Sequence, residues 1–345
     1  MARLITVDGS HGEGGGQIIR TALALSAATG QGFEINGIRS RRPQPGLRPQ
    51  HLAAVRAATL ACRAKVSGAF DGSQELRFEP GPVVAGEFDF EIATAGALTL
   101  VLQTVLLPLA TAPGPSRIAI TGGTHVPWSP SYHYLANHWA VVVRNLGLDL
   151  SFRLERAGFY PRGGGLAHAE VKPRVRPGSP LFIEERGQLV VVRGTSGAAH
   201  RRNQVAERQQ KAVRARLWEA RRLEVAWSVQ APPAASPGSY VLLEAVFEKT
   251  RAAFGFLGER GVPAETVGDR AARALLKFLD GEGAVDPHLA DQLVVPLALA
   301  GGGRVTTSQV TAHLETVAEV VTLFGVPARI SGRRGGPGAF EVGAV

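Results

Sequence analysis

The fold of this chain is decided by the stretch IIRTALALSAATGQGFEINGI, which covers residues 18–38. Residues 18–28 are mostly small or branched apolar residues, as in a buried helix. Gly30 follows where such a helix would end, because the left-handed backbone of a helix end favours glycine. Residues 33–38 alternate apolar and polar side chains, which predicts a half-buried strand, and residues 51–64 predict a second helix. The stretch therefore indicates an α/β unit.

The same outline occurs twice more along the chain. The second copy predicts helices over 97–110 and 134–146 and strands over 117–121 and 149–154. The third copy predicts helices over 291–300 and 310–324 and strands over 304–307 and 328–330. The breaks that end the first helices fall at Gly30, Gly114 and Gly301, which are 84 and 187 residues apart (114 − 30 and 301 − 114). The second interval therefore contains one period and about a hundred extra residues.

We predict an α/β fold of three repeated α/β units that form a large domain, with a smaller inserted α/β domain in the third unit. Residues 1–184 and 281–345 are assigned to the large catalytic domain and residues 185–280 to the insert. Within the insert we expect strands over 189–192, 223–229 and 240–247 and helices over 203–222 and 266–279.

The first insert helix is rich in cations, which are Arg201, Arg202, Arg208, Lys211, Arg214, Arg216, Arg221 and Arg222. Only Glu207 and Glu219 oppose them within the same stretch. Two interpretations stand: a face that adds affinity for a polyanion, or a solvated polar face.

Composition points to a soluble protein with a polyanionic partner. The 345 residues carry 38 Lys and Arg against 29 Asp and Glu, a formal net charge of +9, which suits nucleic acid above all. Cys62 is the single cysteine, so an intrachain disulfide framework and a Cys-cluster zinc site are excluded. No apolar run reaches the length of a membrane span, and the first residues lack the apolar region of a signal peptide. We expect a cytoplasmic protein that does not bind membranes.

A glycine-rich loop precedes the first helix, with the sequence DGSHGEGGGQ at residues 8–17. Backbone N–H groups and the dipole of a helix N-terminus suit a bound anion. Glu13 is unexpected in an anion site, but it fits if it carries a divalent cation, since Mg²⁺ takes carboxylate and phosphate oxygens together. The alternative is a structural turn in which Glu13 caps the helix.

Three further features are candidates for binding or catalysis. Residues 39–51 hold four arginines on a proline-rich loop, which suits bidentate phosphate contacts, although a solvated basic loop is the alternative. Residues 121–130 follow a strand, and their prolines with Trp128 suit one wall of a base pocket. Gln103 is a lone amide in an apolar helix, where such groups are often simply hydrogen-bonded in the core.

His313 is the candidate nucleophile and lies near the start of the last long helix. A neutral imidazole nitrogen can attack phosphorus to form a phosphoramidate, which passes its group on. A core or capping histidine is the alternative, and composition alone does not distinguish this histidine from the other eight.

Taken together, these motifs resemble the RNA 3′-terminal phosphate cyclase family over nearly the whole chain. The residues that carry the resemblance are Asp8-Gly9 with Gly12-Glu13-Gly14-Gly15-Gly16-Gln17-Ile18 and Arg20, Ile38-Arg39 with Arg42 and Pro45-Gly46-Leu47, Gln50-His51-Leu52, Leu102-Gln103-Thr104-Val105-Leu106, Gly158-Phe159-Tyr160-Pro161 with Gly163-Gly164-Gly165, and Leu289-Ala290-Asp291-Gln292-Leu293. The family fold also has three repeated α/β units and a smaller inserted domain.

The resemblance implies an ATP-dependent reaction that turns an RNA 3′-terminal phosphate into a 2′,3′-cyclic phosphate. In the family a histidine takes AMP from ATP, AMP passes to the RNA 3′-phosphate as RNA(3′)pp(5′)A, and the 2′-hydroxyl then closes the ring. His313 matches that nucleophile, and Glu13 matches a carboxylate that binds Mg²⁺ or Mn²⁺. By the same resemblance, the phosphates of RNA and ATP are held by Arg20, Arg39, Arg42 and Gln50. The nucleotide site is lined by Gln103, Pro130, Phe254, His288, Asp291 and Gln292.

The chain departs from the family pattern at two positions. His288 stands where the family commonly has a tyrosine, and imidazole stacks on adenine over a smaller area, so nucleotide affinity is expected to differ. Val317 stands where the family has asparagine, but Thr316 is retained and activity is expected to survive.

Three other functions were weighed against this one. A non-catalytic, RNA-binding relative of ribosome assembly would lack the nucleophilic histidine. An enolpyruvyl transferase has similar repeated α/β units and anion-binding arginines but forms no covalent AMP, and its two-half layout predicts no single insert. A general RNA-binding scaffold is supported by charge alone.

Overall fold

The computed structural model describes residues 4–174, 178–199 and 204–345. Within these ranges sixteen strands and eight α-helices form a mixed α/β fold, which confirms the predicted fold class. Arg201, Arg202 and the predicted helix start at Asn203 lie outside the described residues, as do residues 1–3. No helix in the described part of the chain has the length and apolar character needed to cross a bilayer.

The first sheet forms around residues 18–38. It contains β1 (Ile5–Asp8), β2 (Phe33–Asn36), β3 (Lys65–Ser67) and β4 (Leu76–Glu79), in the order β1-β2-β4-β3. β1 and β2 are parallel and joined by α1 (Gly16–Thr29), whereas the other pairs are antiparallel. α2 (Pro49–Cys62) connects β2 to β3. Gly30 ends α1 with φ 74°, as predicted.

The second sheet has the same order of pairings. Its strands are β5 (Glu87–Glu91), β6 (Ser116–Gly122), β7 (Asp149–Arg156) and β8 (Gly165–Lys172), in the order β5-β6-β8-β7, with α3 (Leu98–Leu109) between the parallel pair β5 and β6. The predicted helix over 134–146 has three parts: a π-helix over Tyr134–Trp139, α4 (Ala140–Val143) and a 3₁₀ turn over Arg144–Leu146.

A separate sheet follows β9 (Leu181–Ile183) along the chain. It contains β10 (Leu189–Ala199), β11 (Val225–Gln230), β12 (Gly238–Phe247) and β13 (Arg251–Leu257), with α5 (Val205–Arg221) and α6 (Ala264–Asp280) packed together against it. Strands were predicted close to β10, β11 and β12 and helices close to α5 and α6, but β13 was not predicted. Its centre, Ala252-Ala253-Phe254-Gly255, lacks the β-branched residues that mark a strand.

The last sheet combines β9 with strands from the end of the chain. These are β14 (Gly303–Thr307), β15 (Ala328–Gly332) and β16 (Gly338–Val342), and the order is β9-β14-β16-β15, again with one parallel pair, β9 and β14. α7 (Pro287–Ala300) precedes β14, and α8 (Ala312–Leu323) follows it.

The helices that connect the strands of the first, second and last sheets pack against one another. α1 contacts α2, α3, α7 and α8, and their apolar residues share one core with the inner faces of the three sheets. The strands β6 and β8 alternate buried and more exposed residues, as expected where one face of an antiparallel sheet faces water. This packing brings the start of α8 close to the loop before α1, and the candidate site lies there.

Two buried histidines join the segment after β6 to the sheet that contains β12. His125 Nε2 lies 2.9 Å from His133 Nδ1, and His133 Nε2 lies 3.4 Å from the hydroxyl of Tyr240 on β12. The Tyr240 hydroxyl also donates to Gln230 Oε1 at 2.6 Å. Burial lowers the pKa of His133 to about 4 and places the pKa of His125 well below its usual range, so both rings are neutral near pH 7.

We expect protonation of His133 to destabilise the protein in mild acid. An unfolded histidine titrates near pH 6.5, so the unfolded chain binds more protons between pH 6.5 and 4, and stability falls as the pH drops through that window. Between pH 7 and pH 5 this group accounts for about 2 kcal/mol of unfolding free energy. Glu244 and Asp291, whose pKa values are raised chiefly by burial, act with the opposite sign, so a comparison of two proteins is needed.

Urea unfolding of the wild type and of His133→Gln, each at pH 7 and pH 5, makes this comparison. Between pH 7 and pH 5, the unfolding free energy of the variant should fall by about 2 kcal/mol less than that of the wild type. An identical pH dependence in the two proteins would contradict the assignment.

Candidate active site

A cleft of about 860 Å³ lies between α1, α3, α7 and α8 on one side and the sheet of β10 to β13 on the other. β13 and α6 supply the wall on this second side. Eight of the predicted site residues line the cleft: Arg20, Gln103, Pro130, Phe254, His288, Asp291, Gln292 and His313. They come from four helices, a loop and a strand that are distant in sequence, so the fold alone brings them together.

His313 is the second residue of α8 and is half-exposed to the cleft. The helix begins after Thr311, whose hydroxyl accepts a hydrogen bond from Leu314 N at 3.0 Å. His313 Nδ1 lies 2.8 Å from Glu13 Oε2. A carboxylate can only accept, so Nδ1 carries the proton, and Nε2 keeps its lone pair for attack.

The glycine loop brings Glu13 to α8. Gly12 has φ 54°, and a side chain there would collide with the hydroxyl of Thr316, one turn after His313. A side chain at Gly16 would collide with the ring of His51. The loop therefore needs glycine at both positions to pack Glu13 against α8 and to begin α1.

The electrostatic surroundings favour a neutral imidazole at His313. Partial burial lowers the pKa of His313, and the nearby positive charges of Arg20 and Arg42 lower it further, whereas Glu13 acts in the opposite direction. Arg20 remains charged at neutral pH, although burial lowers its pKa to about 10. The site thus combines a neutral nitrogen nucleophile with fixed positive charge.

Asp291 lies buried on α7 beside this cluster. Its pKa is raised well above the usual range, first by burial and then by the charges of Asp286 and Glu13, against the effect of Arg20. These surroundings favour the protonated carboxyl, which can donate a hydrogen bond to a bound ligand.

Gln103 and Gln292 form a polar pair on the cleft wall. Gln103 Nε2 donates to Gln292 Oε1 at 2.6 Å, which links α3 to α7, and the backbone carbonyl of Gln292 accepts from Trp139 Nε1 at 3.2 Å. Both amides are partly exposed. Gln103 is therefore hydrogen-bonded and also accessible from the cleft.

The basic segment divides into two groups. Arg42 lies at the site, with its guanidinium 4.0 Å from Glu13 Oε2. Arg39 instead donates to the carbonyls of Gln44 and Gly46 at 2.8 and 3.1 Å, and so it stabilises its own loop. Gln50 Oε1 accepts from a backbone N–H of the second unit, that of residue 97, at 3.3 Å. Neither Arg39 nor Gln50 lines the cleft.

Several residues that line or flank the cleft were not among the predicted site residues. Gln17 and Lys277 line it. Trp128, which was expected in one wall of a base pocket, lines the cleft as well. His51 packs against Gly16 and accepts from Arg48 N at 3.0 Å through Nδ1, and burial lowers its pKa to about 3. The position of His51 at the end of the basic segment was a usable sequence signal. No sequence signal indicated that Lys277 on α6 would line the cleft.

Glu13 is the carboxylate in contact with the nucleophile, and it does not belong to a complete metal cage. Among residues 4–174, 178–199 and 204–345, no group of three or more His, Cys, Asp or Glu side chains is arranged to hold a metal ion. Mg²⁺ commonly binds through one or two carboxylates together with substrate phosphates and water. Glu13 fits that mode, in which the nucleotide supplies most of the ligands.

The arginines of α5 are paired more fully than the sequence count indicated. Arg208 contacts Glu265 at 2.6 Å and Arg216 contacts Asp269 at 2.7 Å, both acids on α6, and Arg221 pairs with Asp280. The acidic residues that pair with these arginines lie on α6, more than fifty residues further along the chain. This pairing favours the interpretation of α5 as a solvated face.

Known proteins are similar to this chain along nearly all of its length. Residues 11–330 match the family described as RNA 3′-terminal phosphate cyclase. An RNA 3′-terminal phosphate cyclase of Ralstonia nicotianae is 45% identical over 324 residues, which cover 94% of this chain and 92% of the relative. The protein of that name from Pyrobaculum aerophilum is 43% identical, with coverage of 93% and 92%, and that from Salmonella typhimurium is 42% identical, with coverage of 96% of each chain.

Proposed function

The chain belongs to the RNA 3′-terminal phosphate cyclase family, and from this premise we propose that it uses ATP to convert an RNA 3′-terminal phosphate into a 2′,3′-cyclic phosphate. The observation that carries the proposal is the pairing of His313 Nδ1 with Glu13 in a large cleft. This pairing leaves Nε2 free as a nucleophile. We also propose the boundaries 1–184 and 281–345 for the catalytic domain and 185–280 for the insert.

In the first step His313 takes AMP from ATP. The Nε2 lone pair attacks the α-phosphorus, a P–N bond forms, and the bond to the bridging oxygen breaks as pyrophosphate leaves. Glu13 accepts the hydrogen bond from Nδ1–H, so it stabilises the positive charge that develops on the ring.

In the second and third steps AMP passes through the RNA end. An oxygen of the RNA 3′-phosphate attacks the histidine-bound phosphorus, the P–N bond breaks, and RNA(3′)pp(5′)A forms while His313 is restored. The ribose 2′-hydroxyl then attacks the phosphorus of the RNA, loses its proton and expels AMP, which leaves the 2′,3′-cyclic phosphate.

The chain mainly has to position these reactants and neutralise their charge, because pyrophosphate and AMP are good leaving groups. Arg20 and Arg42 lie beside His313 and would hold phosphate oxygens. Gln103, Asp291 and Gln292 would hold the nucleotide through hydrogen bonds. Glu13 would also hold Mg²⁺ or Mn²⁺, and such an ion would neutralise charge on the ATP phosphates.

The function is tested with a 3′-phosphorylated RNA oligonucleotide, ATP and Mg²⁺. A cyclic phosphate resists phosphomonoesterase, whereas the substrate phosphate is removed by it. We expect the wild type to make the RNA end resistant only when ATP is present. An end that stays sensitive with folded protein, with either Mg²⁺ or Mn²⁺, would contradict the proposal.

The His288→Tyr variant is expected to bind ATP more tightly. His288 lines the cleft in the same wall as Asp291, and phenol offers a larger stacking surface to adenine than imidazole. We expect the KM for ATP to fall about threefold to tenfold, with little change in kcat. Steady-state kinetics at saturating RNA measure this, and an unchanged or higher KM for ATP would remove His288 from the adenine site.

A further inference from the structure

Trp128 is fully exposed at the rim of the cleft, with a relative exposure of 100%. Tryptophan is highly buried on average, so complete exposure of its indole is unusual. The other three tryptophans differ: Trp139 is buried, Trp227 donates to Ser196 Oγ, and Arg222 stacks on Trp218. In the part of the chain that the structure describes, no aromatic or cationic side chain stacks on Trp128.

The loop that carries Trp128 is held in place rather than loose. Trp128 has φ 64°, a left-handed backbone that is rare and costly for a bulky residue. Ser129 Oγ donates to Val126 O at 3.0 Å, and Thr99 Oγ1 on α3 donates to Pro130 O at 2.8 Å. These hydrogen bonds on both sides of Trp128 hold its backbone in an unfavourable conformation. In this conformation the indole is exposed to solvent.

A ligand that contacts Trp128 at the rim must extend out of the cleft. ATP reacts at its α-phosphate beside His313, inside the cleft, where Pro130, Phe254 and His288 also lie. An RNA chain brings its terminal phosphate to the phosphorus that His313 carries, but the rest of the polymer leaves through the opening. Single-stranded nucleic acid is commonly held by bases that stack on exposed aromatic rings.

Building on the proposed function, we propose that the Trp128 indole stacks on a base at or next to the RNA 3′ end. The stack holds the terminal nucleotide while its phosphate lies near Arg20, Arg42 and His313. Trp128 is thus a substrate-positioning residue that acts on RNA and not on ATP. It gives affinity without strong sequence preference, because every base has a face that can stack.

The test separates RNA binding from the reaction with ATP. Replacement of Trp128 by alanine should raise the KM for a 3′-phosphorylated oligonucleotide about 5- to 100-fold, and Trp128→Phe should retain most of the affinity. Labelling of the protein by ATP alone should change far less than the KM for RNA in both variants. An RNA whose last or penultimate nucleotide is abasic should bind the wild type more weakly, with no further loss in Trp128→Ala.

Tryptophan fluorescence gives a readout that does not depend on turnover. Titration with the oligonucleotide, without ATP, should quench the wild type and Trp218→Phe, but much less so Trp128→Phe. This result would hold even if the protein made no cyclic phosphate, so failure of the proposed function would be recognised separately. Equal RNA affinity in Trp128→Ala would overturn the inference, and slower labelling by ATP in that variant would assign the stack to adenine instead.

Discussion

Replacement of His313 by asparagine should lower the rate of cyclisation by about 10⁴-fold or more, because the nitrogen that forms the covalent bond is lost. Asparagine retains a hydrogen-bonding group toward Glu13 but has no basic nitrogen. His313 is 47% exposed at the second position of α8, so the change should leave the fold and its stability nearly unaltered.

His11→Asn is the matched control for this prediction. His11 lies in the glycine loop, is 56% exposed and also pairs with a carboxylate, Glu319 on α8. We expect this variant to keep its rate within a few-fold of wild type. A His313→Asn enzyme that retained a tenth of the wild-type rate would show that another group is the nucleophile.

Removal of the Glu13 carboxylate should have the second largest effect. Glu13→Ala is expected to lower kcat about 10²- to 10³-fold, since it removes the hydrogen bond that fixes the His313 tautomer, the charge opposite the developing imidazolium and the carboxylate offered to Mg²⁺. Glu13→Gln keeps an oxygen that accepts a hydrogen bond from His313 Nδ1–H, so its kcat should fall less than that of Glu13→Ala.

The pH profile tells the two roles of Glu13 apart. Protonated His313 cannot attack, so the acid limb of kcat/KM follows its pKa. Glu13 raises that pKa against the effects of burial, Arg20 and Arg42. Without Glu13 the acid limb should therefore move to lower pH. An unmoved limb together with rescue by excess Mn²⁺ would assign Glu13 to the metal alone, and Glu319→Gln controls for the loss of a carboxylate near the loop.

Much of the fold was predictable because its signals are local. Gly30 and Gly301 end α1 and α7 with positive φ, as the glycine pattern indicated. β13 was not predicted, because Ala252, Ala253 and Gly255 give no strand signal and the strand is specified by its pairing with β12. That strand supplies Phe254 to the cleft, a residue that the family resemblance named although no strand was predicted around it.

The individual site residues were more predictable than their contacts. Glu13 and His313 were each candidates, but 300 residues separate them (313 − 13), and only the packing of α1 against α8 makes them a pair. Arg39 was predicted to hold phosphate, and the structure adds that its Nη1 donates to two carbonyls of its own loop, a contact that the sequence did not indicate. The sequence left two interpretations of the charge on α5 open for the same reason, since Glu265 and Asp269, which pair with its arginines, lie on another helix.

The central claim is that His313 carries AMP covalently, and labelling with ATP radioactive at the α-phosphate tests it most directly. The protein is incubated with this ATP and Mg²⁺, without RNA, and run on a denaturing gel beside His313→Asn. We predict a band in the wild type that acid removes and alkali does not, because protonation of a phosphoramidate nitrogen makes imidazole a good leaving group. The variant should show no band. A folded wild type that stays unlabelled with both Mg²⁺ and Mn²⁺, or a band that persists in His313→Asn, would contradict the account.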